Sequence, residues 1–277
     1  MAIDTKSISD LREKTGAGIV ECKKALEESA GDIEKAIEVL RKKGIAKAAK
    51  RGERETREGV IKVATNKASN IGFIVELGAE TDFVVRNDKF QNFGNSVMEL
   101  IIKNEPDNLE SLLDLKMADG HTVKENFDTL SGVIGEKMEI KRYGKITSQG
   151  TVVGYSHLAG KIGVLVALDK SGAAELGHDI AMQIAAANPK YISPDQVPAE
   201  EIAKEKEIYA EQLKKEGKPD NMIEKIMAGK VNKYLEEICL IKQEYIKDDE
   251  KKVEDILNGV KIEKFVMYSL QGAIAAC

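Results

Sequence analysis

The chain carries few residues of the kind that do covalent chemistry at neutral pH. Its histidines are His121, His157 and His178, and its cysteines are Cys22, Cys239 and Cys277. No histidine stands near a serine or cysteine in a nucleophile motif. The cysteines share no short spacing, so neither a disulfide framework nor a zinc site is expected, and a reducing cytoplasm fits. No Gly-rich phosphate loop of the P-loop or dinucleotide type is present. Acidic residues are abundant but fall in charged helical stretches, where they are solvated. The expectation is a protein that is not an enzyme and that has no cofactor and no metal ligands of its own. One segment offers a different chemistry, that of contact. Between Leu77 and Asp88 runs Gly78-Ala79-Glu80-Thr81-Asp82-Phe83-Val84-Val85-Arg86-Asn87. Apolar residues as large as Phe83 and Val84 are costly to leave in a turn. Either Phe83 folds back to cap the core, or Asp82 and Phe83 point outward as a wedge. An aromatic anchor beside a charge is a typical hot-spot pair. Periodicity alone leaves both readings open, with the core cap slightly ahead.

The elements that would position this loop are legible from period. Residues 1 to about 50 read as three short helices, with a turn at Gly16-Ala17-Gly18. The second helix puts Ile19, Cys22, Ala25 and Leu26 on one face, and Cys22 reads as a small core residue. Asp32 would cap the third, whose Ile33, Ala36, Ile37 and Leu40 recur at i, i+3, i+4 and i+7, and Gly44 would end it. Residues 41–57 hold eight basic residues, Arg41, Lys42, Lys43, Lys47, Lys50, Arg51, Arg54 and Arg57, and read as a solvated linker helix. Two hairpins then follow the same plan. Residues 59–77 and 150–168 align without a gap, with Gly59/Gly150, Ala68/Ala159, Ile71/Ile162, Gly72/Gly163, Val75/Val166 and Leu77/Leu168 identical. A helix follows each, from about Asp88 and from about Ala173. This predicts an internal duplication in an α+β core. The loop of the second hairpin holds His157, Gly160 and Gly163; a lone loop histidine is usually idle, and the glycines allow tight turning. From 199 to about 240, two charged amphipathic stretches flank Gly217-Lys218-Pro219-Asp220 and predict a projecting antiparallel coiled-coil hairpin. A helix near Asp249–Leu257 and a strand at Lys261–Leu270 are expected last.

Composition narrows the function. Aromatics are 5% with no Trp, which weakens any reading that needs stacking platforms for bases, and the net charge of −5 argues against a chain-wide nucleic-acid footprint. No apolar run reaches the length of a membrane span. The N-terminal residues show neither a signal-peptide nor a transit pattern.

These residues together resemble the bacterial elongation factor Ts family, over nearly the whole chain. Leu11 to Leu26, continued by Gly31-Asp32-Ile33-Glu34-Lys35-Ala36, resembles its first signature; Thr81-Asp82-Phe83-Val84 its exchange motif; and His157-Leu158-Ala159-Gly160-Lys161-Ile162-Gly163 its histidine-loop motif. The resemblance implies three spans. Residues 1–52 would be a ubiquitin-associated-like three-helix domain with its basic linker. Residues 53–145 would be a core N-subdomain. Residues 146–277 would be a core C-subdomain with the coiled-coil excursion at about 199–240 and a C-terminal module. It implies guanine-nucleotide exchange on elongation factor Tu, GDP-bound and nucleotide-free, with Thr81, Asp82, Phe83 and Val84 displacing the partner's Mg²⁺. Arg12, Ile19, Val20 and Lys23 match the family's contact face on the partner's nucleotide domain, and His157 and Gly163 a second contact on a more distant domain. Neither direct nucleic-acid binding nor a membrane is implied, and the helical hairpin would serve either the partner or a homodimer. Residues 264–272 keep a strand pattern but lack the family's acidic ending. The rival readings are a general protein-binding adaptor with the same head and arm, an RNA-binding protein using the basic linker and, last, an enzyme.

Overall fold

The computed structural model describes residues 3–216, 219–270 and 272–276. Gly217 and Lys218, at the expected turn of the helical hairpin, lie outside the described residues, as do Gln271 and Cys277. The fold is α+β, with helices and antiparallel strands. The chain forms two compact units, residues 1–62 with 75–144 and residues 63–74 with 145–277.

The first unit opens with three helices, α1 (Thr5–Thr15), α2 (Ile19–Glu28) and α3 (Ile33–Ala49). Asp4 caps α1 by accepting from the Ser7 N–H at 2.6 Å, and Gly16 ends it in the left-handed conformation. Asp32 caps α3 by accepting from the Lys35 N–H at 3.1 Å. Leu11, Ala17, Cys22, Ala25, Leu26 and Ala36 form the buried centre. Gly44 does not end α3. It is buried and faces Gly132, where an added Cβ would lie 2.3 Å from the Gly44 Cα. The glycine therefore serves close helix packing, not termination. Nor is the basic stretch a free linker. Lys43 pairs with Glu28, Lys47 with Glu21 and Arg54 with Glu80, and Arg51 donates to the Ser131 carbonyl at 3.3 Å.

Strands β1 (Glu58–Thr65) and β2 (Ile71–Ala79) form the first hairpin and neighbour β3 (Met138–Thr147) in the order β1-β2-β3. Between β2 and β3 come α4 (Asp82–Val85), α5 (Asp88–Asn104), α6 (Leu109–Asp114) and α7 (Val123–Ile134). Helix α7 carries Gly132, and its first turn has a full capping box. The Thr122 hydroxyl accepts from the Glu125 N–H at 3.1 Å, and the Glu125 carboxylate accepts from the Thr122 N–H at 3.0 Å.

In the second unit, β4 (Thr151–His157) and β5 (Ile162–Leu168) pair antiparallel, with Tyr155 opposite Val164 and His157 opposite Ile162. The central strand β5, between β4 and β8 (Ile262–Ser269), is nearly all buried because both faces are covered: Val164, Val166 and Leu168 lie in one core cluster, and Leu165, on the opposite face, lies against Gly72. Strand β9 (Gly272–Ala276) completes the order β4-β5-β8-β9. Helix α8 (Ala174–Ala187) packs Ile180 and Ile184 into a core with Val164, Val166 and Phe265. A Cβ at Gly177 would lie 2.5 Å from Val153 Cγ2, so α8 closes tightly onto β4. Helices α9 (Ala199–Lys215) and α10 (Asp220–Ile238) make the expected helical pair. Its base is buried at Val197, Ile238 and Cys239, and the Tyr191 hydroxyl donates to Glu201 at 2.7 Å. The expected helix at 249–257 forms only in its second half. Asp248–Lys252 forms β7 against β6 (Glu244–Tyr245), and only Val253–Ile256 is helical, as α11. Residues 248–252 are all charged and largely exposed, with no apolar residue for a helix to bury, which suits a solvated two-stranded ribbon.

Candidate functional site

The segment after β2 is a single helical turn. Thr81 begins it, its side chain accepting from the Val84 N–H at 3.4 Å while its hydroxyl donates to the Glu136 carboxylate at 3.0 Å. The Arg86 N–H donates back to the Asp82 carbonyl at 3.0 Å, and the Arg86 guanidinium pairs with the Asp82 carboxylate at 2.9 Å. Successive residues in a helix point about 100° apart, so Phe83 and Val84 cannot share a side. Val84 takes the inside at 4% exposure and Phe83 the outside at 82%. The outward reading of Phe83 therefore holds, and the core-cap role falls to Val84.

Three anchors hold this turn. Glu80, just before it, accepts from the Lys137 N–H at 2.5 Å and from Arg54 at 3.2 Å. The Lys137 bond first, then Arg54, holds its carboxyl below the usual range. The Thr81–Glu136 bond is the second anchor. The third is Gln91 on α5, whose amide donates to the Val85 carbonyl at 2.7 Å and accepts from Lys62 of β1 at 3.2 Å. Burial pushes the Lys62 ammonium down from its usual range. A large apolar side chain thus stands in water on a turn tied to a sheet, a helix and the β3 entry.

In the same unit, α2 exposes Ile19 and Val20, at 57% and 65%, and Lys23 lies exposed one turn on. Arg12 is exposed in the last turn of α1. The space a Cβ on Gly16 would take is filled by the Lys89 ammonium from α5, so the α1–α2 turn abuts the helix that follows α4. His157 and Gly163 belong to the other unit. His157 ends β4, and Gly163 is buried in β5 opposite Ser156. Beyond His157, the residues Leu158, Ala159 and Gly160 all have positive φ, at 50°, 54° and 86°. This tight turn leaves Leu158 60% exposed.

Sequence reasoning missed Leu158, Gln91 and Glu136. Leu158 had a local signal, an aliphatic residue between His157 and two small ones. Gln91 and Glu136 had none, because each acts through a contact distant in sequence. Among the described residues, no group of three or more His, Cys, Asp or Glu could hold a metal ion, and no helix is long and apolar enough to cross a membrane.

Residues 80–272 match the family model described as elongation factor TS. Among curated proteins, the elongation factor Ts of Chloroherpeton thalassium is 44% identical over 283 residues, covering 97% of this chain and 98% of that one. Those of Chlorobium phaeobacteroides and Chlorobaculum tepidum are each 42% identical with the same coverage.

Proposed function

Because the chain belongs to the elongation factor Ts family, the nucleotide-exchange factors of translation elongation, we propose that it releases GDP from elongation factor Tu by pressing Phe83 toward the partner's Mg²⁺ site. The observation that carries this reading is Phe83 itself, 82% exposed on an anchored turn. Mg²⁺ demands near-ideal octahedral geometry, so a small displacement of the groups around it loosens the phosphates it holds. Phe83 supplies the apolar wedge. Asp82 supplies charge beside it, and Thr81 and Val84 fix the turn. By linkage, nucleotide weakens the grip of the exchange factor by the same ratio that the factor weakens the nucleotide. The factor therefore binds empty partner tightly and is expelled by incoming nucleotide, without covalent chemistry.

Further contacts follow from this reading. Arg12, Ile19, Val20 and Lys23 face the partner's nucleotide domain, with apolar area at Ile19 and Val20 and charge at Arg12 and Lys23. His157 and the tight strand pairing at Gly163 serve a second partner domain. Residues 1–52 act as a ubiquitin-associated-like head, the two hairpin-plus-helix halves descend from one duplicated unit, and α9–α10 is a coiled-coil arm toward the partner or a second copy. The work is cytoplasmic and needs no direct nucleic-acid contact, which agrees with the internal pairing of Lys43, Lys47 and Arg54. The adaptor reading is not favoured, since it has no use for an anchored, outward Phe83.

The test is release of fluorescent GDP from elongation factor Tu on mixing with the full chain. Acceleration at millimolar Mg²⁺, shrinking toward none when a chelator has already removed the metal, is the expected pattern. No acceleration would overturn the exchange reading; acceleration undiminished by chelation would overturn the Mg²⁺ route.

A further inference from the structure

On β4, Tyr155 and His157 are two residues apart and so share a face of the strand. The Tyr155 hydroxyl lies 2.9 Å from His157 Nδ1. The Tyr155 ring meets His178 of α8 edge-on, with centroids 5.2 Å apart. The close approach of α8 to β4 at Gly177 lets His178 reach it. Tyr155 also packs against the buried core of this unit, so its ring is held from two sides.

A phenol is the better proton donor of the pair, and the bare nitrogen of a neutral imidazole is the better acceptor. The short contact is therefore most stable with the Tyr155 O–H donating to Nδ1. That choice places the His157 proton on Nε2, because the second ring nitrogen is set by the bond the first one makes. We propose that Tyr155 is a positioning residue which fixes His157 as an Nε2–H donor, so that the group His157 meets on its partner is a hydrogen-bond acceptor, a backbone carbonyl or a carboxylate. His178 keeps the Tyr155 ring in place for this. Without Tyr155, the imidazole returns to a mixture of tautomers and to free rotation, and only part of the population offers the right edge. The functional half of this inference rests on the proposed role of His157 as a contact; the tautomer does not.

The test uses the full chain labelled with ¹⁵N-histidine, and the variant Tyr155→Phe, which keeps the ring packing. In long-range ¹H–¹⁵N spectra near neutral pH, His157 should show one bare nitrogen at Nδ1 and one protonated nitrogen at Nε2. In Tyr155→Phe, both signals should move toward tautomer-averaged values. A protonated Nδ1 in the unaltered chain, or signals that Tyr155→Phe leaves in place, would overturn the proposal. In exchange assays Tyr155→Phe should raise the Kd for nucleotide-free elongation factor Tu by about two- to fivefold, the effect of one modest hydrogen bond and a divided population. It should add nothing when His157 is already alanine. An equal loss in the His157→Ala background would overturn the positioning role. Unchanged exchange by His157→Ala alone would instead remove the contact reading, and the functional half with it, while the spectra still decide the tautomer.

Discussion

Phe83→Ala and Val84→Ala should separate contact from packing, although the residues are neighbours. Phe83 is 82% exposed and Val84 is 4% exposed. A phenylalanine buries roughly 200 Å² when fully covered, so about 160 Å² of Phe83 awaits a partner, worth about 4 kcal/mol at roughly 25 cal/mol per Å². Alanine retains part of that area, which leaves a loss of about 2–3 kcal/mol and a fall of about 30- to 150-fold in the second-order rate of GDP release. The thermal midpoint should not change, since nothing in the fold rests on the ring. Val84→Ala removes two buried methyl groups, about 1.6 kcal/mol by transfer and about 2 kcal/mol with the cavity left behind. That should lower the midpoint by about 4–8 °C. It should reduce exchange only as far as the turn loosens. Stopped-flow release of fluorescent GDP and calorimetry on the same preparations give both numbers. Destabilisation by Phe83→Ala equal to that by Val84→Ala, or release left unchanged by it, would refute the outward contact role of Phe83.

Other outcomes follow from the same geometry. Gly132→Ala puts a Cβ 2.3 Å from the Gly44 Cα, and the resulting backbone shift should cost about 1–3 kcal/mol in urea unfolding despite the better helix propensity of alanine. The Glu80 carboxyl is held below its usual range in the folded state, so it contributes stability above the unfolded glutamate value of about 4.3 that is lost as pH falls through the lower folded value. Glu80→Gln should therefore flatten the acid limb of a stability-versus-pH curve and lower the plateau above about pH 5. Ile19→Asp, at a site 57% exposed, should leave the thermal midpoint within about a degree while weakening partner binding by about tenfold, measured by calorimetric titration.

Much of this was legible in the chain, for physical reasons that also mark where legibility stopped. The two hairpins show as β-branched runs bounded by turns, and β1, β2, β4 and β5 fall where those runs lie. Helix α5 shows because Phe90, Val97 and Ile101 keep a 3.6-residue period over about three turns. The orientation of Phe83 was not legible, since a four-residue helix is too short for a period and two adjacent apolar residues give no direction. Gly44 was misread because a glycine at a helix end and one at a helix crossing look alike in sequence; only Gly132, 88 positions later, tells them apart. The stretch from 105 to 147 drew no expectation. Its Thr122–Glu125 capping box was a usable signal for α7, whereas β3 buries only Met138, Ile140 and Ile146 and offers little alternation to see.

The Gly44–Gly132 crossing changes what a truncation can mean. Cutting after residue 52 looks like the removal of a module, yet it would strip a helix from the face of α7 and leave a bare backbone groove where Gly132 now meets Gly44. It would also free the Ser131 carbonyl that Arg51 now occupies and unpair Glu80 from whichever of its ligands the new terminus disturbs. A shortened chain that loses activity has therefore lost two things at once, a contact surface and part of the scaffold beneath Phe83. Point changes on the exposed side of α2 keep those two losses apart; deletions do not.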